Sequence, residues 1–411
     1  MMNVMTSSTD TVAYLRTPQA IRERCRQLYD MATRGELAHF NLHLDRLDTV
    51  ARLVGSETTR NYPDLNVPYH SRWRHFNVGG LDRNTVVNEI LAPLTPKERC
   101  RSKIELAILS VLLDAGAGDE WGFTDRNSDS RHKRSEGLAI ASMYAYGDGV
   151  FGPEPFVATS ERLKAITPAE LGDAFQVSKS NPLLGLEGRC ALLTNLGRVI
   201  ESRPQDFKGS PGRLGGILET ILGYAKGSEL QASDILRCLL TSFADIWPGR
   251  VAIGGANLGD VWRHSKVVGP GETNGLVPFH KLSQWLTYSL LEPLEEYGVK
   301  VMGLDQLTGL AEYRNGGLFL DGGVLSLKDP SAASVDHSPS SEIIVEWRAL
   351  TVILLDQVAA RLRESLNKSE VELPLAKVLQ GGTWAVGRTL ATGRRAGGGP
   401  PLKIASDGTV F

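Results

Sequence analysis

Apolar positions in this chain recur mostly at spacings of three and four residues, the period of helices facing a core, and seldom alternate as strands would. The clearest case is 95–113. Ile104, Leu106, Ala107, Ile108, Leu109, Val111, Leu112 and Leu113 make this segment apolar nearly all round, which predicts a central helix ending at Gly116-Ala117-Gly118. Glu342–Leu366 predicts a long helix with a stripe through Trp347, Leu350, Ile353, Leu354 and Val358. Further helices are predicted over 13–53, in two pieces broken at Arg34-Gly35, and over 131–146, 183–200 and 234–244. Thr167-Pro168-Ala169-Glu170 has the form of a capping box with proline at the first helical position.

The stretch 276–323 places two polar clusters at the ends of apolar helical segments: His280, Lys281 and Gln284, then Glu312, Tyr313, Arg314 and Asn315. The pattern between them predicts a helix over 282–297, which Pro293 should kink or end early. Asp305 is expected to cap a second helix carrying Leu307, Leu310 and Ala311, with Asn315-Gly316-Gly317 as its stop. That places Glu312 in a last helical turn, where the macrodipole disfavours a carboxylate. A group kept where its charge is unwelcome is a candidate for acid–base work. The alternative is a surface pair with Arg314.

Other candidates lie in segments that read as loops. If His70–Phe76 is extended, His70, Arg72 and Arg74 share one side, suited to a phosphate or carboxylate; the alternative is a solvated basic edge or internal ion pairs. Trp121 and Phe123 sit among acids in a Gly-broken loop, a candidate wall for a small polar ligand. Asp245 precedes another loop and is a further carboxylate candidate. His39 and His43 have the i, i+4 spacing of a helical metal pair, but no further His or Cys completes a set. Residues 1–12 are expected to fray. The Gly- and Arg-rich tail, 381–411, is expected to form one or two short strands or to wrap the surface.

The composition is that of a globular protein: 411 residues, 42% hydrophobic, 22% charged, net charge −2. There is no bulk field to attract nucleic acid or anionic lipid, no apolar run long enough to span a bilayer, and no secretory signal pattern. Four scattered cysteines without a Cys-x-x-Cys read as free thiols of a reducing compartment, so a cytoplasmic location is expected. The glycines of 253–260 fail the dinucleotide fingerprint. There is no Gly-x-Ser-x-Gly elbow, no phosphate loop and no His-Glu-x-x-His, which leaves carboxylate-centred chemistry at Glu312, Asp245 or Asp321. The expected fold is mainly α, a single compact bundle-like domain with a few short strands near the C-terminus. Nothing in the sequence sets the oligomeric state.

Several literal stretches resemble the uracil catabolism protein 4 family of the ring-opening uracil pathway. They are Pro68-Tyr69-His70-Ser71-Arg72-Trp73-Arg74-His75-Phe76 with Gly79-Gly80, and Arg134-Ser135-Glu136-Gly137-Leu138-Ala139. Others are Glu312-Tyr313-Arg314-Asn315-Gly316-Gly317-Leu318, Glu346-Trp347-Arg348-Ala349-Leu350-Thr351 and Ser406-Asp407-Gly408-Thr409-Val410-Phe411. The middle of the chain also resembles the queuosine-5′-phosphate N-glycosylase family, helical enzymes related in shape to helix–hairpin–helix glycosylases. Phe279-His280-Lys281-Leu282-Ser283-Gln284 is similar to that family's Tyr-Lys-Arg-Ala-Gln segment, and Ala311-Glu312-Tyr313-Arg314 to its Ala-Asp-Tyr-Arg. Glu312 then stands for the family's Asp, and Asn315-Gly316-Gly317 replaces its Val-Pro-Gln.

The first resemblance implies a step that cuts urea from ribose; the second implies cleavage of a C1′–N bond. Together they imply Glu312 and Lys281 as the reacting groups, with no metal and no cofactor. Gln284, Tyr313, Arg314, His280, His70, Arg72, Arg74, Trp121, Phe123 and Asp245 would hold a small substrate derived from a nucleoside or nucleotide. Two alternatives stay open: an amide C–N hydrolase acting on the same intermediate, and a non-catalytic nucleotide-binding or scaffold protein.

Overall fold

The computed structural model describes residues 7–247 and 251–405, and these are mainly helical, as the periodicity predicts. Among the described residues the strands are only two or three residues long and pair into two-stranded ribbons. The chain folds as two compact units, each assembled from separate stretches. One comprises 7–70, 251–284 and 303–405; the other comprises 71–247 and 285–302.

The first unit is built on the helix Glu342–Leu366, whose bounds match the sequence pattern. Three consecutive residues of this helix tie down separate segments. Glu346 accepts the N–H groups of Ala38 and His39, at 3.1 Å each. Trp347 donates its ring N–H to the Gly316 carbonyl at 3.0 Å. Arg348 donates Nε–H to the Ala311 carbonyl at 3.1 Å and grips Asp260 with its two terminal nitrogens. Gly316 is required here, because a Cβ would lie 2.6 Å from the Trp347 ring. Apart from this helix, Val12, Leu15, Ile253, Leu258, Val261 and Leu276 form a small core between the first helix and the glycine-rich ribbons.

The second unit centres on Pro96–Leu112, capped by Thr95 and buried on nearly every side. Its Glu105 is fully buried and accepts from Tyr146 Oη (2.5 Å), Arg213 Nε (2.7 Å), and the N–H groups of Ala158 (2.9 Å) and Gly215 (2.7 Å). Such a carboxylate is tolerated only when its lone pairs are met, and here four donors meet them. The capping box at Thr167 forms with both reciprocal bonds.

Five expectations are corrected. The frayed start lies outside the described residues as far as residue 6, but Ser8–Leu15 is helical, capped by the Ser7 hydroxyl. His39 and His43 flank a strand, Phe40–Leu42, that pairs with Leu325–Leu327, so they do not share a helix face; His43 Nε2 bonds Ser326 Oγ instead. His70–Phe76 is not extended: Arg72–Phe76 is a short helix, and each side chain around it meets a different partner. No helix covers 307–311, because the turn at Leu304–Gln306 leads into extended chain and the next helix begins at Tyr313. The C-terminal tail holds one of the short strands expected of it, Lys403–Ile404, paired in parallel with Asp336–His337, but the stretch before it is helical over Leu375–Val378 and Trp384–Arg394, joined by the π-helical turn Leu379–Thr383. Two of its glycines serve close approach: a Cβ on Gly382 would meet the Val54 carbonyl at 2.5 Å, and one on Gly387 the Arg314 carbonyl at 2.5 Å. The sequence motif at 406–411 and the loop residues 248–250 lie outside the described residues.

The helix Lys281–Glu296 runs through Pro293. Proline cannot donate to the carbonyl of Ser289, four residues back. In the second unit that carbonyl accepts the Trp73 ring N–H at 2.8 Å, while the Ser289 hydroxyl accepts the Arg72 N–H at 2.9 Å. The helix Arg72–Phe76 is thereby fastened where the intrahelical ladder is interrupted. Among the described residues, no helix is long and apolar enough to cross a membrane. Cys25, Cys100, Cys190 and Cys238 are free and buried.

Candidate functional site

In the first unit Glu312 is the N-cap of the helix Tyr313–Asp321, not a last-turn residue. Its backbone is extended, and its carboxylate accepts the N–H groups of Arg314 and Asn315, at 2.6 Å each. The macrodipole therefore favours its charge, the reverse of the effect the sequence pattern implied. Burial opposes that charge and wins: Glu312 is 9% exposed and its carboxyl is pushed above the ordinary glutamate value. Lys281 is the chief countercharge, followed by the two N–H groups and then Arg314. The candidacy of Glu312 thus rests on desolvation rather than on the helix dipole.

Lys281 opens its helix behind a constrained residue. His280 is buried with φ 49°, a left-handed conformation uncommon outside glycine, and its Nε2 is held by the Leu15 carbonyl at 2.8 Å. The Lys281 N–H is accepted by Asp260 Oδ2 at 3.0 Å. Asp260 is a residue that sequence reasoning passed over as part of a glycine-rich loop. Burial would raise its carboxyl, but the Arg348 guanidinium holds it well below the usual carboxylate range. The signal that could have found it was Arg348, an apolar-helix arginine in need of a counterion.

Gln284 is fully buried, with Nε2 donating to Thr308 Oγ1 at 2.8 Å and Oε1 left without a partner. Asn315 is fixed on several sides: Thr383 Oγ1 donates to its Oδ1 at 2.9 Å, and its N–H serves Glu312. Arg314 lies 5.1 Å from the Tyr313 ring and 5.9 Å from that of Trp384, with Nη1 on the Gly398 carbonyl at 3.0 Å. Tyr313 is half-buried. His70 is buried, its Nδ1 3.1 Å from Gln380 Oε1 in the π-helical turn and its ring 6.5 Å from Trp384. The first unit therefore contains seven expected site residues: Glu312, Lys281, Gln284, His280, Tyr313, Arg314 and His70.

The other five are in the second unit. Arg72 is fully buried; it ion-pairs with Asp114 at 3.0 Å and donates to Ser110 and Ser135. Arg74 pairs with Glu292 at 2.5 Å. Trp121 is fully buried, its ring N–H on the Phe175 carbonyl at 3.0 Å, and Phe123 stacks on Tyr144 at 5.9 Å. Asp245 is about half exposed and pairs with Arg203 at 2.6 Å. The internal ion-pair reading of the Arg72 and Arg74 stretch is thus the one whose geometry is present.

A family model described as "Protein of unknown function (DUF1688)" matches residues 14–411. "Protein urg3" of Schizosaccharomyces pombe is 39% identical over 418 residues, covering 98% of this chain and 100% of that protein. "Uracil catabolism protein 4" of Lachancea kluyveri is 36% identical over 439 residues, covering 97% and 99%.

Proposed function

The chain belongs to the family described as protein of unknown function (DUF1688), and from that membership we propose that it is a hydrolase of uracil breakdown, cutting the ribose–nitrogen bond of a ribosyl-urea. One full-length relative carries uracil catabolism in its name, and that supports the pathway. The observation that carries the chemistry is the desolvated Glu312 carboxylate, with Lys281 as its chief countercharge in the same unit.

Bonds of this kind break through a cation-like sugar transition state. Ionised Glu312 stabilises the positive charge developing at C1′ and takes a proton from the attacking water. The water oxygen bonds C1′, the C1′–N bond breaks, and its electron pair leaves on the urea nitrogen, which gains a proton. Lys281 is the donor available for that proton or for a hydrogen bond to the leaving group. Gln284 Oε1 is a free acceptor for a urea N–H. The products are urea and the free sugar.

Incubation of purified, chelator-treated protein with ribosyl-urea and with its 5-phosphate, following urea and reducing sugar, tests the reading. Equal release of both from either compound is expected. A ribosylamine product would instead mark an amide hydrolase. A second reading is favoured by the two N–H bonds that Glu312 accepts: a binding protein in which Glu312 is only a helix cap. Binding of either compound without turnover would establish it.

A further inference from the structure

The arginines of this protein differ in what answers their charge. Arg348 has Asp260, Arg395 has Asp321, Arg72 has Asp114 and Arg74 has Glu292. Among the described residues, two buried arginines lack a carboxylate but place neutral oxygens on their guanidinium nitrogens, both terminal ones included. Arg24 uses the Val268 carbonyl and the Thr273 hydroxyl; Arg189 uses the carbonyls of Leu113, Leu184 and Ala115. Arg314 has neither arrangement. It is 4% exposed, forms no ion pair among the described residues, and has one acceptor, the Gly398 carbonyl on Nη1. Among the described residues, its Nε is buried without a partner and Nη2 makes no hydrogen bond. Glu312 lies close enough to act on the Arg314 charge electrostatically, but its two oxygens bond backbone N–H groups and neither hydrogen-bonds the guanidinium among the described residues.

A buried guanidinium with donors left unpaired is costly, and the cost is best relieved by an anion with lone pairs to match. Nε and Nη2 form the side-on edge of the guanidinium, the pair of parallel donors that fits two oxygens of one oxyanion. The Tyr313 and Trp384 rings lie beside the guanidinium and limit its motion.

We propose that Arg314 anchors an oxyanion subsite in the first unit, and that it takes a phosphate group of the substrate on its Nε/Nη2 edge. The identity of the phosphate-bearing molecule as a ribosyl-urea 5-phosphate rests on the N-ribosyl reading; the subsite itself does not. Of the three arginines expected from sequence to hold the substrate, this one has both nitrogens of its Nε/Nη2 edge unpaired among the described residues.

The test is phosphate protection of wild-type protein. Phenylglyoxal modifies arginines, and peptide mapping reports the fraction of Arg314 labelled with inorganic phosphate, ribose 5-phosphate or chloride at equal ionic strength. Protection of Arg314 by both phosphates and not by chloride is expected. Equal labelling in all three, or resistance of Arg314 to labelling without phosphate, overturns the proposal. Arg314→Lys keeps the charge and loses the fork, so phosphate affinity by calorimetry should fall roughly tenfold to a hundredfold. Unchanged affinity also overturns it. Phosphate binding through Arg314 with no cleavage of ribosyl-urea would sink the N-ribosyl reading alone. Cleavage without Arg314-dependent phosphate binding would sink the subsite alone.

Discussion

Asp260 and Arg348 meet through two parallel hydrogen bonds, Nη1 to Oδ1 at 2.7 Å and Nη2 to Oδ2 at 2.8 Å, while Oδ2 also accepts the Lys281 N–H. One carboxylate thus neutralises Arg348 on the helix Glu342–Leu366 and fixes the start of the helix that bears Lys281. Asp260→Ala would leave the Arg348 guanidinium buried and unanswered. A loss of about 3–5 kcal/mol is expected by denaturant unfolding.

Glu312→Gln removes the charge and keeps the shape. Turnover of ribosyl-urea should fall by about 10²–10⁴, the range for loss of a positioned general base. The wild-type rate should rise with pH as Glu312 ionises, with its midpoint above the ordinary glutamate value because burial raises that carboxyl. A pH-independent rate over the acid limb would remove Glu312 from the role. Glu312→Ala should also lose the helix cap, at about 0.5–2 kcal/mol.

Burial pushes the imidazoles of His75 and His280 down to about 4, from 6.5. Between those values the unfolded chain binds protons that the folded protein does not. Stability from these groups is therefore full above the upper value and lost as pH falls toward the lower one. Each contributes a slope of up to about 1.4 kcal/mol per pH unit in that window. Glu105 and Glu292, raised by burial, act in the opposite sense, so the informative quantity is a difference. His280→Gln should have a shallower acid loss than wild type in urea melts at several pH values; parallel curves would contradict this.

Gly387→Ala places a methyl 2.5 Å from the Arg314 carbonyl. The helix Tyr313–Asp321 must shift or the Trp384–Arg394 helix must retreat, at a cost of about 1–3 kcal/mol. Ribosyl-urea turnover should drop along with stability, since the displaced segment carries Glu312. Gly393→Ala, with open space around it, should leave both unchanged.

The helices were legible where an apolar period was long. Pro96–Leu112 and Glu342–Leu366 announce themselves by pattern alone. What failed was short-range. The turn signals around Asp305 and Asn315-Gly316-Gly317 were read as one helix's ends, yet Asn315 to Gly317 lie inside the next helix. Gly316 is there because Trp347 leaves no room for a side chain, a tertiary reason that one-dimensional spacing cannot carry. Glu312 was chosen for the wrong physical cause and still has a raised carboxyl, because burial replaces the dipole argument. Asp260 was missed since its partner is 88 residues away in sequence. The literal stretches around Arg72 and Trp347 owe much to cross-linking: Arg72, Trp73, Arg74, Trp347 and Arg348 each bond a distant segment.

Pro293 alters how two distant substitutions combine. Pro293→Ala would restore an N–H able to reclaim the Ser289 carbonyl, so two donors, Ala and Trp73, would compete for one acceptor. Trp73→Phe in the natural sequence strands that buried carbonyl; in the Pro293→Ala background it strands nothing. The two changes should be sub-additive in a double-mutant cycle, by about 1 kcal/mol or more. A proline that local rules classify as a defect is then a condition on which tryptophans the neighbouring segment can lose.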